Sequence, residues 1–205
     1  MIAIVDYSAG NTQSIKNMLD FIGVDSIISS NKEDLENSDQ FILPGVGHFN
    51  HSMLYLKENG LIEILSRKVL HENCPILGIC LGMQLLTNSS EESSVNGLGW
   101  IEGDTKKFVF NSETHWKVPH TGWCNVDFKD KDGILNQISN PSEFYFNHSY
   151  YVSCQHEQHV IATSNYGITF PSVIKKAHIW GVQFHPEKSN SSGIQLFRNF
   201  IAQQL

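Results

Sequence analysis

The stretch PILGICLGMQLL, residues 75–86, decides how the chain is read. An apolar run ends in a cysteine held between Gly78 and Gly82, and an amphipathic segment follows at once. A strand passing directly into a helix with a lone thiol at the junction is the layout of a nucleophile elbow, with G-x-C-x-G in place of G-x-S-x-G. Flanking glycines let neighbouring backbone crowd such a turn. A thiol at the first turn of a helix also faces the positive end of the helix dipole, which favours the reactive thiolate. A core cysteine is ordinarily a small hydrophobe and needs no glycines beside it. That reading suits Cys74, Cys124 and Cys154, and the elbow reading suits Cys80.

Upstream of the elbow, IAIVDY reads as a strand. NTQSIKNMLDFIG reads as a helix, with Ile15, Met18, Leu19 and Ile22 on one face and Gly23 at its end. VDSIIS, QFILPGVG and CPILGI read as further strands, and SMLYLKENG, LIEILSRKVLHEN and LGMQLLTNS as helices. This alternation predicts βαβ units and a largely parallel sheet. From GLGWIEGDTKKFVF to HIWGVQF the chain changes to short β-like runs separated by Gly, Asn, Asp and Pro, which suits antiparallel or mixed strands. GIQLFRNFIAQQL closes the chain as an amphipathic helix, with Ile194, Phe197, Phe200 and Ile201 on one face. No repeat, low-complexity linker or domain boundary interrupts the pattern. The expected fold is α/β: one three-layer domain over residues 1–205, with a mostly parallel central sheet and an additional antiparallel or mixed β region.

With 205 residues the chain is long enough to bury a core without staples. A net charge of −7 argues against nucleic acid or an anionic membrane as the main partner. No apolar run reaches membrane-spanning length, and the start lacks a basic region and a long apolar core, so the expected location is cytoplasmic. The four cysteines form no CxxC pair, so neither a zinc site nor a disulfide framework is expected. HEQH, residues 156–159, does not match HExxH and reads as a solvated loop. Neither GxGxxG nor GxxxxGK[ST] occurs, and no metal or organic cofactor is expected.

A nucleophilic cysteine needs a base. In WGVQFHPEKS a strand-like run ends at His185, Pro186 stops it, and Glu187 follows close enough to orient the imidazole. Strand ends are where α/β folds place functional groups. Alone, HPE is an ordinary turn composition; beside GICLG it completes a Cys-His-Glu set. LPGVGHF supplies a glycine-rich turn at Gly45 to Gly47, whose N–H groups, with that of Leu81, are placed to meet an oxyanion.

PGVGHF, GICLGMQLL and GVQFHPEKS together resemble the class I (triad) glutamine amidotransferases, which are flavodoxin-like. DYSAGN, GLGWI, KVPHTGW and FYFNHSYYV extend the resemblance to the glutaminase subunits of imidazole glycerol phosphate synthases of histidine biosynthesis. The resemblance implies that Cys80 attacks the carboxamide of glutamine, that His185 and Glu187 complete the triad, and that peptides at Val46, Gly47 and Leu81 form the oxyanion hole. It implies that Gly47, Gln84, Glu92, Ser149 and Tyr150 hold glutamine, while Tyr151 is expected to pack within a strand. It also implies a heterodimer in which ammonia passes to a (β/α)8-barrel cyclase across a face that includes Asn11, Pro119, His120, Trp123 and Lys188. Departures fall toward that face: Ser8 replaces the glycine of DYGxGN, Gln13 stands where arginine is common, and Thr121 and Cys124 alter PHMGWN. They leave open an alternative in which a paralogue feeds a different synthase, such as one amidinating a surface sugar or a nonulosonic acid.

Overall fold

The first strand, Ile2–Val5 (β1), sends Ile2 and Ile4 into one apolar core and Ala3 and Val5 into another. An apolar strand with both faces buried belongs in the middle of a layered sheet. A computed structural model of the chain describes residues 1–8, 10–111, 115–131 and 133–203. Following β1 are α1 (Thr12–Phe21), β2 (Ser26–Ser29), α2 (Lys32–Glu36), β3 (Gln40–Leu43), α3 (Phe49–Glu58), α4 (Leu61–Ser66), β4 (Ile76–Ile79) and α5 (Leu81–Leu85). The second half adds β5 (Ser89–Ser90), β6 (Gly103–Lys107), β7 (His120–Phe128), β8 (Ser142–His148) and β9 (Tyr150–Cys154). It continues through β10 (Val160–Tyr166), β11 (Ile168–Lys176) and β12 (Ile179–Val182) to α6 (Asn190–Ile201).

Nine strands form one sheet in the order β2-β1-β3-β4-β12-β11-β10-β7-β8, and β5, β6 and β9 form a small second sheet. Neighbours from β2 across to β12 are parallel. Neighbours from β12 onward are antiparallel. The antiparallel region is therefore a continuation of the parallel sheet, and β12 is the seam. Ile15 and Leu19 of α1 and Leu196, Phe197 and Phe200 of α6 bury into the core on one face. Leu35 of α2, Met53 of α3, Leu65 of α4 and Met83 of α5 belong to the core on the other. The result is the three-layer α/β arrangement.

Several local expectations shift. The five-residue α2 is too short to show a helical period, and is marked instead by its cap: the Asn31 side chain accepts the N–H of Glu33 at 2.8 Å. The helix α4 runs on into a π-helical turn at Arg67–His71. The last helix starts at Asn190, ahead of Gly193, and buries Leu196 with Phe197 and Phe200 while Ile194 and Ile201 are half-buried. Residues 204–205, included in the expected helix, lie outside the described residues, as does Ala9 of DYSAGN. HEQH is not a solvated loop throughout: Glu157–His159 forms a 3-10 turn that buries His159. Among the described residues no helix is long and apolar enough to cross a membrane.

Three glycines set how closely α5 lies on the sheet. Gly78 of β4 and Gly181 of β12 are direct cross-strand partners. A β-carbon on Gly78 would stand 2.7 Å from the Gly82 backbone, and one on Gly181 would stand 2.7 Å from Met83 Cγ. A β-carbon on Gly82 would fall 1.8 Å from the Leu43 carbonyl oxygen. Gly82→Ala therefore has backbone to displace, whereas Gly181→Ala meets side chains that can move. The expected cost is above about 3 kcal/mol for Gly82→Ala and about 1–3 kcal/mol for Gly181→Ala. Urea unfolding midpoints measure both, and equal costs would contradict this account of the α5 contact.

Candidate active site

Cys80 is the residue between β4 and α5, with φ +53° and ψ −106°. That conformation is strained for a residue with a side chain, and such strain concentrates at functional turns. Its N–H still bonds the Val182 carbonyl at 2.7 Å, so the β4–β12 ladder holds the elbow from below. Cys80 is buried and lines a cavity of about 250 Å³. Gly45, Val46, Gly47 and Leu81 form one side of it, and Gln84, Glu92, Ser149 and Tyr150 another. A cavity this small suits a metabolite rather than a large ligand.

His185 arrives from the end of β12, and its backbone N–H donates to the Tyr145 carbonyl of β8 at 2.8 Å. Its Nδ1–H donates to Glu187 Oε1 at 2.8 Å, and each of the two side chains is only 2% exposed. The bond leaves Nε2 buried, with the Cys80 sulfur as its neighbour among the described residues. Burial acts against a charge on this imidazole, but the sulfur of Cys80 and the carboxylate of Glu187 outweigh it and raise the pKa to about 10. The three residues expected to work together are thus adjacent, with the histidine held in its protonated form.

Gln84 is not an exposed helix position. It is 5% exposed, and its Nε2 donates to the Tyr150 carbonyl at 3.0 Å. The Glu92 carboxylate accepts the N–H of Phe49, at the start of α3, at 2.8 Å. The Tyr150 hydroxyl lies near that carboxylate; burial first, then Glu92 and Glu91, raise its pKa. Tyr151 packs in its strand as expected, 4.9 Å from the Phe108 ring. Sequence reasoning missed two groups that touch the nucleophile: the Asn147 carbonyl, 3.8 Å from the sulfur, and Gln183, whose Nε2 is 3.6 Å from it. Gln183 carried a readable signal, a lone amide in the apolar run IWGVQF. The Asn147 carbonyl carried none, since any residue has one.

On the face expected to meet a partner, Trp123 is 47% exposed and stands edge-on to Tyr145 at 6.1 Å, while Lys188 Nζ lies 5.6 Å from the same ring. Asn11 precedes α1, and Pro119 is exposed beside the cavity. His120 differs: it is buried, stacked 3.9 Å from Tyr166, and its Nδ1 bonds His148 Nε2 at 3.0 Å. The ring packs inside the fold instead of facing solvent. Ser8 has φ +59°, and its N–H donates to the Asp6 carboxylate at 3.1 Å. That backbone geometry accounts for the glycine usual at this position.

The family model for class-I glutamine amidotransferases matches residues 3–204. An imidazole glycerol phosphate synthase subunit HisH 2 from Methanococcus maripaludis is 49% identical, over 99% of this chain and 100% of its own. A subunit HisH 1 from Campylobacter jejuni is 45% identical over 98% of this chain and 99% of its own. A subunit HisH from Leptospira borgpetersenii is 41% identical over 98% and 100%. Among solved structures, a glutamine amidotransferase superposes with a TM-score of 0.76 at 19% identity over 98% of both chains. PurLQS from Thermotoga maritima superposes with a TM-score of 0.72 at 16% identity over 98% of this chain and 97% of its own. The structural likenesses speak for the fold. The match along nearly the whole length, joined to an elbow cysteine facing a histidine and a glutamate, makes the chain a member of the class-I glutamine amidotransferase family.

Proposed function

We propose that the chain is the glutaminase subunit of an imidazole glycerol phosphate synthase of histidine biosynthesis. On this reading it hydrolyses glutamine and passes the ammonia through a channel to a (β/α)8-barrel cyclase subunit, forming a heterodimer with it. The observation that carries the reading is the buried His185–Glu187 pair beside Cys80, which lines a small cavity, in a chain 41–49% identical to HisH subunits along its length.

The chemistry follows from the placement of charge. The sulfur of Cys80 attacks the carboxamide carbon of glutamine, and the developing oxyanion is met by N–H groups at Gly47 and Leu81. The imidazolium of His185 gives its proton to the departing nitrogen, so ammonia leaves and a thioester remains. Neutral His185 then takes a proton from water as that water attacks the thioester, which releases glutamate and leaves the sulfur as thiolate beside the imidazolium. Glu187 keeps the imidazole in one tautomer throughout. Glu92 and the Gln84 side-chain oxygen supply acceptors for the amino group of the substrate.

The partner surface runs from Asn11 and Pro119 to the Trp123, Tyr145 and Lys188 cluster. The turn carrying Val46 lies beside it: Val46 is 47% exposed, and a β-carbon on Gly10 would stand 3.2 Å from Pro44 Cβ, so the DYSAGN loop packs directly on the oxyanion turn. Docking at that loop therefore acts on the oxyanion donors, and the barrel is expected to raise glutaminase activity. A second reading, a paralogue serving another synthase, draws support from the substitutions at Ser8 and Thr121, which lie away from the triad, while Cys124 is half-buried against the core on the other side of its strand.

The test is glutamate release from glutamine, with and without the cyclase barrel of the histidine pathway and its ribonucleotide. Strong stimulation, abolished in Cys80→Ala, is the expected result; no stimulation of the folded chain turns the assignment to the second reading. The pH profile tests the proton transfer. With Glu187 present, His185 stays protonated up to about pH 10, and the alkaline limb of kcat/KM lies there. Glu187→Gln removes a negative neighbour, so the limb moves to lower pH and the rate falls by about 10²-fold or more. An alkaline limb that stays in place would remove the His185–Glu187 pair from the mechanism.

A further inference from the structure

Behind the nucleophile, two buried side-chain amides lie in series. Gln183 Nε2 faces Cys80 Sγ at 3.6 Å, and Gln183 Oε1 accepts from Gln84 Nε2 at 3.3 Å. The Gln84 amide nitrogen also donates to the Tyr150 backbone carbonyl at 3.0 Å. The same carbonyl accepts His148 Nδ1–H at 2.7 Å. Gln183 is fully buried between the apolar residues Val182 and Phe184.

A backbone carbonyl oxygen only accepts hydrogen bonds, so it sets the direction of everything joined to it. Gln84 has to turn its NH2 toward Tyr150. Gln183 then has to turn its oxygen toward that NH2, which leaves its own NH2 for the sulfur. Reversing either amide would set two donors or two acceptors against each other among buried side chains. The direction matters because, besides the His185 imidazole, the sulfur has the Asn147 carbonyl near it, an acceptor at 3.8 Å. A thiol satisfies that carbonyl with its S–H. A thiolate is repelled by it, and a donor beyond the His185 imidazolium offsets that repulsion.

We propose that Gln183 is a positioning residue for Cys80: its amide, held in one orientation by Gln84 and the Tyr150 carbonyl, presents an N–H donor to the sulfur and stabilises the ionised nucleophile. The proposal rests on Cys80 being the nucleophile, as in the function proposed above. It also gives Gln84 a defined face toward substrate. Both of its N–H groups are spent inside the fold, so it meets a ligand through its oxygen alone.

The test uses the whole chain, without glutamine or a partner. Alkylation of Cys80 by iodoacetamide at neutral pH is followed by peptide mass spectrometry, which separates this thiol from the other three. Gln183→Met keeps the length and removes the donor. Gln183→Glu keeps an acceptor for Gln84 but offers the sulfur no donor. Both are expected to slow alkylation by about tenfold, the scale of one hydrogen bond to a charged group. Gln84→Met, which leaves Gln183 in place but free to turn over, is expected to slow it by less, and it carries the test if either Gln183 variant fails to fold. In the glutaminase assay kcat falls for Gln183→Met while KM stays within about twofold. Unchanged alkylation in folded variants, with only the unfolding midpoint lowered, would overturn the proposal and leave Gln183 as a packing residue. Glutaminase activity that survives Cys80→Ala would instead sink the nucleophile assignment, a separate readout from the alkylation rates.

Discussion

Everything at the site depends on how closely the first turn of α5 lies on the sheet. Gly78 and Gly181 face each other across β4 and β12, and Gly82 rests on the carbonyl of Leu43. Side chains at these positions would lift the helix and carry Cys80 away from its neighbours. With the helix pressed down, Cys80 takes up its positive φ at the end of β4. The strands β4 and β12 are paired through Ile79 and Val182, so both leave the sheet at the same edge. One then delivers the sulfur and the other delivers Gln183 and His185. Carboxyl ends of parallel strands are where open α/β sheets gather their functional groups.

Much of this was legible in the sequence, for a physical reason in each case. The alternation of apolar runs with helical periods in the first half marked βαβ units, because a parallel strand has to be covered on both faces. The glycines around Cys80 marked close backbone contact, because only glycine allows it. His185 and Glu187 were legible because Pro186 marks a break in the apolar run, although the strand itself stops earlier, at Val182, and Pro186–Lys188 forms a 3-10 turn. The hidden features depend on contacts distant in sequence. The continuity of the antiparallel strands with the parallel sheet is decided at β12, which pairs with β4 on one side and β11 on the other. His120 looked like a surface residue in KVPHTGW, and only the packing of Tyr166 and Phe146 against it shows why it is buried.

Three histidines cluster behind the cavity with opposite charge preferences. His185 is held protonated by Cys80 and Glu187. Burial lowers the pKa of His120 to about 4, and burial first, with the neighbouring imidazoles of His120 and His185, lowers that of His148 to about 3. The neutral pair is a consequence of position, since neither ring has a carboxylate to offset desolvation. His148 donates to Tyr150 and accepts from His120, so both tautomers are defined. The site thereby concentrates its one positive charge on the nitrogen that faces the sulfur.

The β12 seam has a consequence for how the chain is made. Cys80 and Gln183 stand 103 positions apart, and His185 and Glu187 lie beyond that. A ribosome therefore releases Cys80 long before it releases Gln183, His185 and Glu187. Those groups reach it only when β12 has inserted between β4 and β11. An incomplete chain holds Cys80 without these neighbours, and the cluster is assembled by closure of the sheet.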